Sequence, residues 1–298
     1  MPDGKHLVRG YLAAAATLVL WSGFSLMSRL GGKSVLTPYD MFALRLIVAS
    51  LVLLPFAGSM PARFWCDAKL WTLTVLCSLI YCPLAYSGFK FAPASHGAIL
   101  LSGTQPFLVS IVVWLLLRTR PGRMRGIGLA CIAMGIACVA MPYFSDWSPD
   151  MLLGDLLILG SSVSWSFYAV LASRWGYSAW TQTRAVAFCS AIIYLPIYAL
   201  WLPKELIAAP LAMIAVQGIF QGLVATILAM LTYLKAIALL GAERTTAFLA
   251  LVPIVTGVLA VPLLDEPLGV WLTSGIVFVS LGSYIASRYG STRLRTRP

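Results

Sequence analysis

Two tryptophans set inside long apolar runs are the residues of this 298-residue chain best suited to engage a ligand. Thr17, Trp21, Phe24 and Ser25 follow the i, i+4, i+7, i+8 spacing of one helix face, and Ser161, Trp165 and Tyr168 repeat the pattern later. An indole offers a broad apolar face and one N–H donor. Gln217 and Gln221 stand one helical turn apart. Their amides both donate and accept, which suits the ammonium and carboxylate of a zwitterion. Bonding between helices competes for such amides, and it is the favoured reading for Gln217. Gln105 directly precedes Pro106, and Tyr81 stands two residues before Pro83. A proline removes a donor and frees a carbonyl one turn earlier, leaving a notch or a kink. The expected binding set is Thr17, Trp21, Tyr81, Gln105, Ser161, Trp165, Tyr168 and Gln221. Tyr86, His96 and Gln217 are secondary candidates, and Pro83, Pro106 and Pro253 are the expected hinges.

Four charged or titratable residues receive structural readings. His96 opens a span and is expected to be solvated. Arg45 lies about five residues inside a span and is expected to snorkel outward, with Asp40 or a bound carboxylate as other partners. Glu243 and Arg244 are expected at an interface. No carboxylate is expected at a span centre, where a buried acid would be costly unless used or paired.

Catalytic signals are poor. The chain has no G-x-S-x-G, no H-E-x-x-H and no acid pair within a span. GGKS at Gly31–Ser34 resembles the end of a phosphate loop, but Met27 stands where the earlier glycine belongs. The six cysteines form no C-x-x-C pair and read as small buried side chains. No enzyme activity, metal or cofactor is expected.

The elements that hold these residues follow from composition. The chain is 60% apolar and 10% charged, against roughly 25% charged in soluble domains. It is too poor in charge for a water-facing surface, which excludes a soluble enzyme, a disordered chain and a nucleic-acid binder. A membrane span needs about 20 apolar residues. Ten such runs lie near 8–28, 38–58, 70–90, 94–117, 122–142, 152–172, 180–202, 211–235, 243–263 and 268–288. Helix is the expected state, because a backbone in lipid must satisfy its polar groups within its own segment. Lys5 and Arg9 precede the first run without a convincing cleavage site, so it reads as an uncleaved helix.

Orientation follows from the basic residues in alternate loops. One side collects Lys5, Arg9, Arg63, Lys69, Arg118, Arg120, Arg123, Arg125, Arg174, Arg184, Lys235, Arg244, Arg288, Arg293, Arg295 and Arg297. The other holds Arg29, Lys33, Lys90 and Lys204, with most of the acids, including Asp40, Asp150, Asp155 and Glu266. The rich side is expected to be cytoplasmic and to carry both termini. The net charge of +11 is then mainly a topology signal.

The halves also resemble each other. Gly10 and Trp21 are matched by Gly154 and Trp165 at equal spacing. Pro106, Gly128 and Gly135 are matched by Pro253, Gly275 and Gly282, each 147 residues on. Five spans per half is an odd number, so the second half should enter the bilayer from the opposite side. Inverted repeats are a common plan of secondary transporters. The expected fold is an all-α polytopic membrane protein of ten helices, with repeats at 1–145 and 146–298.

FKFAPASHGAILLSGTQPFLVSIVVWLLL (89–117) and YLKAIALLGAERTTAFLALVPIVTGVLAVPLLDEP (233–267) resemble the two copies of the EamA-type signature. The chain is thereby similar to ten-helix members of the drug/metabolite transporter superfamily, and most to the YddG-type amino-acid exporters. The second copy keeps the family's acidic turn as Glu266, whereas the first has Arg118, Thr119 and Arg120 there. The resemblance implies transport of small metabolites, most often export. Together with the aromatic and amide residues it gives the expected function: a monomeric exporter of amino acids or similar metabolites, working by alternating access in a bacterial inner membrane. A nucleotide, sugar or drug cargo, or a membrane subunit without transport, are the rival readings.

Overall fold

The computed structural model describes residues 4–118, 122–141, 148–240, 245 and 248–288. These residues are helical, with no strand among them. Among the described residues nine helices are long and apolar enough to cross a membrane: α1 (His6–Gly32), α2 (Pro38–Ser59), α3 (Ala68–Phe91), α4 (Ala94–Leu116), α5 (Arg123–Ala140), α6 (Pro149–Trp175), α7 (Ala179–Trp201), α8 (Leu211–Leu240) and α10 (Val270–Arg288). The shorter apolar α9 spans Val252–Leu264. It starts after a break at Ala250 and Leu251, and Thr245, Phe248 and Leu249 ahead of the break are helical too. Glu243 and Arg244 lie outside the described residues.

Helix starts are set by caps that satisfy the free N–H groups of the first turn. Thr37 and Asp40 form a reciprocal capping box on α2, with Pro38 at its first position. Asp67, Ser148 and Ser178 cap α3, α6 and α7. Three helices then widen into π-turns: α3 at Val75–Ile80, α4 at Ile99–Gly103 and α8 at Ile219–Leu228. In α4 the cause is local. Pro106 lacks the donor for the Ser102 carbonyl, and Thr104 N–H reaches back five residues to Ile99.

The two halves share backbone detail at the spacing read from the sequence. Thr104 and Leu251 have the same φ and ψ, −80°, −11° and −79°, −11°. Arg118 and Asp265 end α4 and α9 in the left-handed conformation, both with φ of 55°. Each pair is 147 residues apart. Packing repeats as well: α1 lies on α8, α6 on α3, and α5 on α10.

Small residues make these contacts close, as membrane helices require when no hydrophobic gain drives them together. A Cβ on Gly128 would lie 2.7 Å from the Gly282 carbonyl oxygen, and one on Gly135 2.9 Å from that of Gly275. Each glycine of α5 thus faces the repeat partner of the other one. Gly88 and Gly154 bring α3 and α6 to the same closeness.

Candidate functional site: a central cavity between the halves

Pairing α1 with α8 and α6 with α3 leaves a cavity whose empty space, counted with the solvent at its mouth, is about 590 Å³. The three π-widened helices, α1, α6 and Arg45 of α2 form its wall. Small side chains create the room, since α8 contributes only Ala225 and Ala229. An adjoining recess shares Trp21, Arg45 and Trp165 and continues past Thr183 and Met230 to Tyr233. Thr183 is near the start of α7 and Tyr233 near the finish of α8. The recess therefore runs toward the basic end of the bundle.

Aromatic rings dominate the lining. Trp21 and Trp165 meet edge to face, centroids 6.5 Å apart at 89°. Tyr81 lies 5.1 Å from Trp165 and stacks on Phe24 at 6.4 Å. Tyr233 lies 5.1 Å from Trp21. Ser25, Ser102 and Gln105 add polar atoms. Ser166 on α6 donates to Gln105 Oε1 at 3.1 Å, so Gln105 is held across the seam.

Four of the eight expected binding residues line this cavity: Trp21, Tyr81, Gln105 and Trp165. The other four do not. Thr17 and Ser161 are buried and donate to their own helices, at Ala13 and Ile158 carbonyls. Tyr168 packs on Trp165 but donates to Gln182. Gln221 is fully buried, accepts from Tyr86 and donates to Gln217 Oε1 and Ser28. Gln217 in turn donates to the Met27 carbonyl at 2.8 Å, the interhelical bond expected for it. Amide pairs and outward serines look alike in sequence whether they face a cavity or a neighbour. Only packing separates them.

Two structural readings are corrected. Arg45 does not snorkel to an interface. It is 7% exposed, lines both the cavity and the recess, and its guanidinium lies 6.0 Å from the Phe24 ring centre. The π-stacking surfaces and Tyr86 give it a place inside the bundle, so outward extension gains nothing. His96 is not solvated. It is buried, with Nδ1 2.9 Å from Asp155 Oδ2. Asp155 is within α6, not in a loop, and this contact ties α4 to α6. Pro106 and Pro253 stand at the restarts of α4 and α9. Pro83 follows the π-turn of α3, two residues after Tyr81.

The acid-rich end of the bundle is closed by charge. Glu266 accepts from Arg29 Nε and from the Ala94 N–H that opens α4, both at 2.8 Å. Arg29 also donates to the Phe89 and Lys90 carbonyls that close α3. Lys33 donates to Leu264 at the end of α9. Each charge satisfies a helix end of the sign that attracts it. Nothing in the spacing of these residues reveals the pairing, since Arg29 and Glu266 are 237 residues apart.

Apolar helices closing around an aromatic and polar cavity define a polytopic membrane transporter. The EamA-like transporter family profile matches residues 8–141 and again 152–288, and the chain belongs to that family. It is 26% identical over 213 residues to the uncharacterized transporter YyaM of Bacillus subtilis, covering 68% of each chain. An uncharacterized transporter of Archaeoglobus fulgidus is 21% identical over 93% of this chain and 96% of its own. The inner membrane protein YtfF of Escherichia coli is 29% identical over 44% of this chain and 45% of its own. A protein crystal structure shares the fold with a TM-score of 0.63 at 18% identity, covering 93% of this chain and 96% of that one.

Proposed function

We propose that this chain is a secondary transporter exporting small amphipathic metabolites by alternating access through the central cavity. The observation that carries the reading is the Trp21–Trp165 pair, in which matching residues of the two halves meet across one cavity. The halves, 1–145 and 146–298, act as inverted repeats, and exchange of their shapes opens the cavity to one side and then the other. The recess toward Thr183 and Tyr233 and the charged closure at Glu266 fit a state open toward the basic, cytoplasmic side. Both termini lie on that side, the chain works as a monomer, and the membrane is the bacterial inner membrane. Amino acids are the first cargo to assay, on the resemblance to amino-acid exporters.

Purified protein in liposomes, loaded with a panel of amino acids and tested with and without a pH gradient, checks the reading. Release above empty liposomes is the expected result. Dependence on the gradient separates coupled from facilitated flux. Release no faster than from empty liposomes across the panel and the probes used below removes it.

A further inference from the structure

The cavity contains a cation that no carboxylate among the described residues pairs with. Arg45 is the charged residue of its wall. Among the described residues no carboxylate lies within ion-pairing distance of it. Asp40, on the same helix, is committed elsewhere. It accepts from Thr37, from Tyr198 and from the Glu205 N–H. Arg45 Nη1 donates to Tyr86 Oη at 3.2 Å. That is one of five guanidinium donors. Its Nε is buried without a hydrogen-bond partner.

This arrangement is costly unless something completes it. A buried charge is ordinarily paired, and leaving one unpaired carries a large desolvation penalty. Within a membrane such a residue usually serves a pathway or a ligand. Tyr86 cannot supply the missing anion, because its hydroxyl is already donated to Gln221. The Phe24 face at 6.0 Å offers weak cation–π attraction and no hydrogen bond. The guanidinium is a planar fork, the geometry that carboxylates match with two hydrogen bonds. Beside it stand Phe24, Tyr81, Trp21 and Trp165, a wall for a ring or a bulky aliphatic group. Among the described residues no acid lines the cavity to receive an ammonium.

We propose that Arg45 is the anion-binding residue of the cavity, and that the preferred cargo is an organic monocarboxylate with an aromatic or bulky apolar body, bound more tightly than the same body bearing a cationic centre. The proposal rests on the transport reading only for the word cargo. The binding site stands on the geometry of Arg45 and the rings.

Four probes of one shape test it: 3-phenylpropionate, its amide 3-phenylpropanamide, phenylethylamine and L-phenylalanine. Binding to the full chain in detergent is read by thermal shift and calorimetry, and flux by counterflow in liposomes. The anion is expected to bind about tenfold tighter than the amide or more, the size of a hydrogen-bonded charge contact. L-Phenylalanine and phenylethylamine should be weaker than the anion. Arg45→Gln should reduce 3-phenylpropionate to the affinity of the amide, while Arg45→Lys keeps part of the preference. The wild-type comparison needs no variant, so a misfolded Arg45→Gln does not rescue the idea. Equal binding of anion and amide overturns it, as does tighter binding of the amino acid. So does chloride or nitrate competing as well as the aromatic acid, which would mark an inorganic anion site. Anion-selective binding without flux leaves the site standing and removes the transport reading. Flux of the amide and amino acid unchanged in Arg45→Gln does the reverse.

Discussion

Arg29 and Glu266 join four helix ends with one ion pair. The guanidinium closes α3, the carboxylate opens α4, and their 2.8 Å contact ties α1 to the turn after α9. The side chains are only 14% and 10% exposed, so solvent screens the pair weakly. The repeat-related turn at the opposite end carries Thr119 in place of an acid, and that residue lies outside the described ones.

Glu266→Gln should loosen this closure. The amide oxygen can still accept from Ala94, but the charge attraction to Arg29 is lost. A hydrogen bond to a charged group contributes about 2 kcal/mol, which corresponds to roughly a thirtyfold population change. With Ser102→Cys as reporter in a cysteine-free background, a membrane-impermeant thiol reagent added from the Asp150 side should label the variant faster. Unchanged labelling would assign the pair to static support.

Truncating the ring pair should weaken binding. Trp21→Ala and Trp165→Ala each remove a wall of the cavity, and flux or affinity should fall by about tenfold or more, as loss of a buried aromatic contact implies. Gln217→Ala should cost fold stability instead, because its amide holds the Met27 carbonyl. Gln221→Ala should resemble Gln217→Ala rather than Trp21→Ala. A reversed order in a flux assay with matched melting temperatures would place the amides, not the indoles, in the cargo path.

Crowding at the glycine contact gives a stability prediction. Gly128→Ala puts a Cβ 2.6 Å from the Ala286 nitrogen and 2.7 Å from the Gly282 carbonyl, where neither backbone can yield freely. Overpacking of this kind costs about 1–3 kcal/mol. Gly126→Ala, with open space around it, should be neutral or slightly stabilising. Unfolding in detergent, followed by helicity, compares the two. Equal melting points would show that α5 and α10 separate without cost.

Asp67 and Tyr177 predict a pH dependence outside the membrane-spanning segments. The Tyr177 hydroxyl donates to Asp67, which also accepts from the Lys69 and Leu70 N–H groups. The tyrosine contact holds the carboxyl below its ordinary value of 3.8. Partial desolvation and the same carboxylate push the Tyr177 hydroxyl up to about 12. A depressed acid stabilises above its unfolded value and loses this as pH falls through the folded one. A raised tyrosine stabilises below pH 10 and loses this as pH rises toward about 12. The stability gap between wild type and Tyr177→Phe should be flat from about pH 5 to 9 and close at both extremes. Both groups face solvent, so the gap is small. A gap that persists unchanged below about pH 3 would remove Asp67 from this account.

The chain's own order of residues determined the membrane class, the number and rough limits of its apolar helices, and the match between its halves. Those properties depend on local composition and on spacing along one helix, which any reader of the sequence can count. The repeat spacing of 147 reappeared in the backbone at Thr104 and Leu251 and at Arg118 and Asp265. Which polar side chains face the cavity was decided elsewhere. Gln221 and Arg45 both sit in apolar runs, yet one is saturated by Tyr86, Ser28 and Gln217 while the other lines the cavity with its Nε unpartnered. Their fates depend on neighbours from α1, α3 and α8, brought together only when the helices pack. His96 with Asp155 and Arg29 with Glu266 follow the same rule. A charge buried in lipid must find its partner across the bundle, and the distance along the chain carries no record of which partner that is.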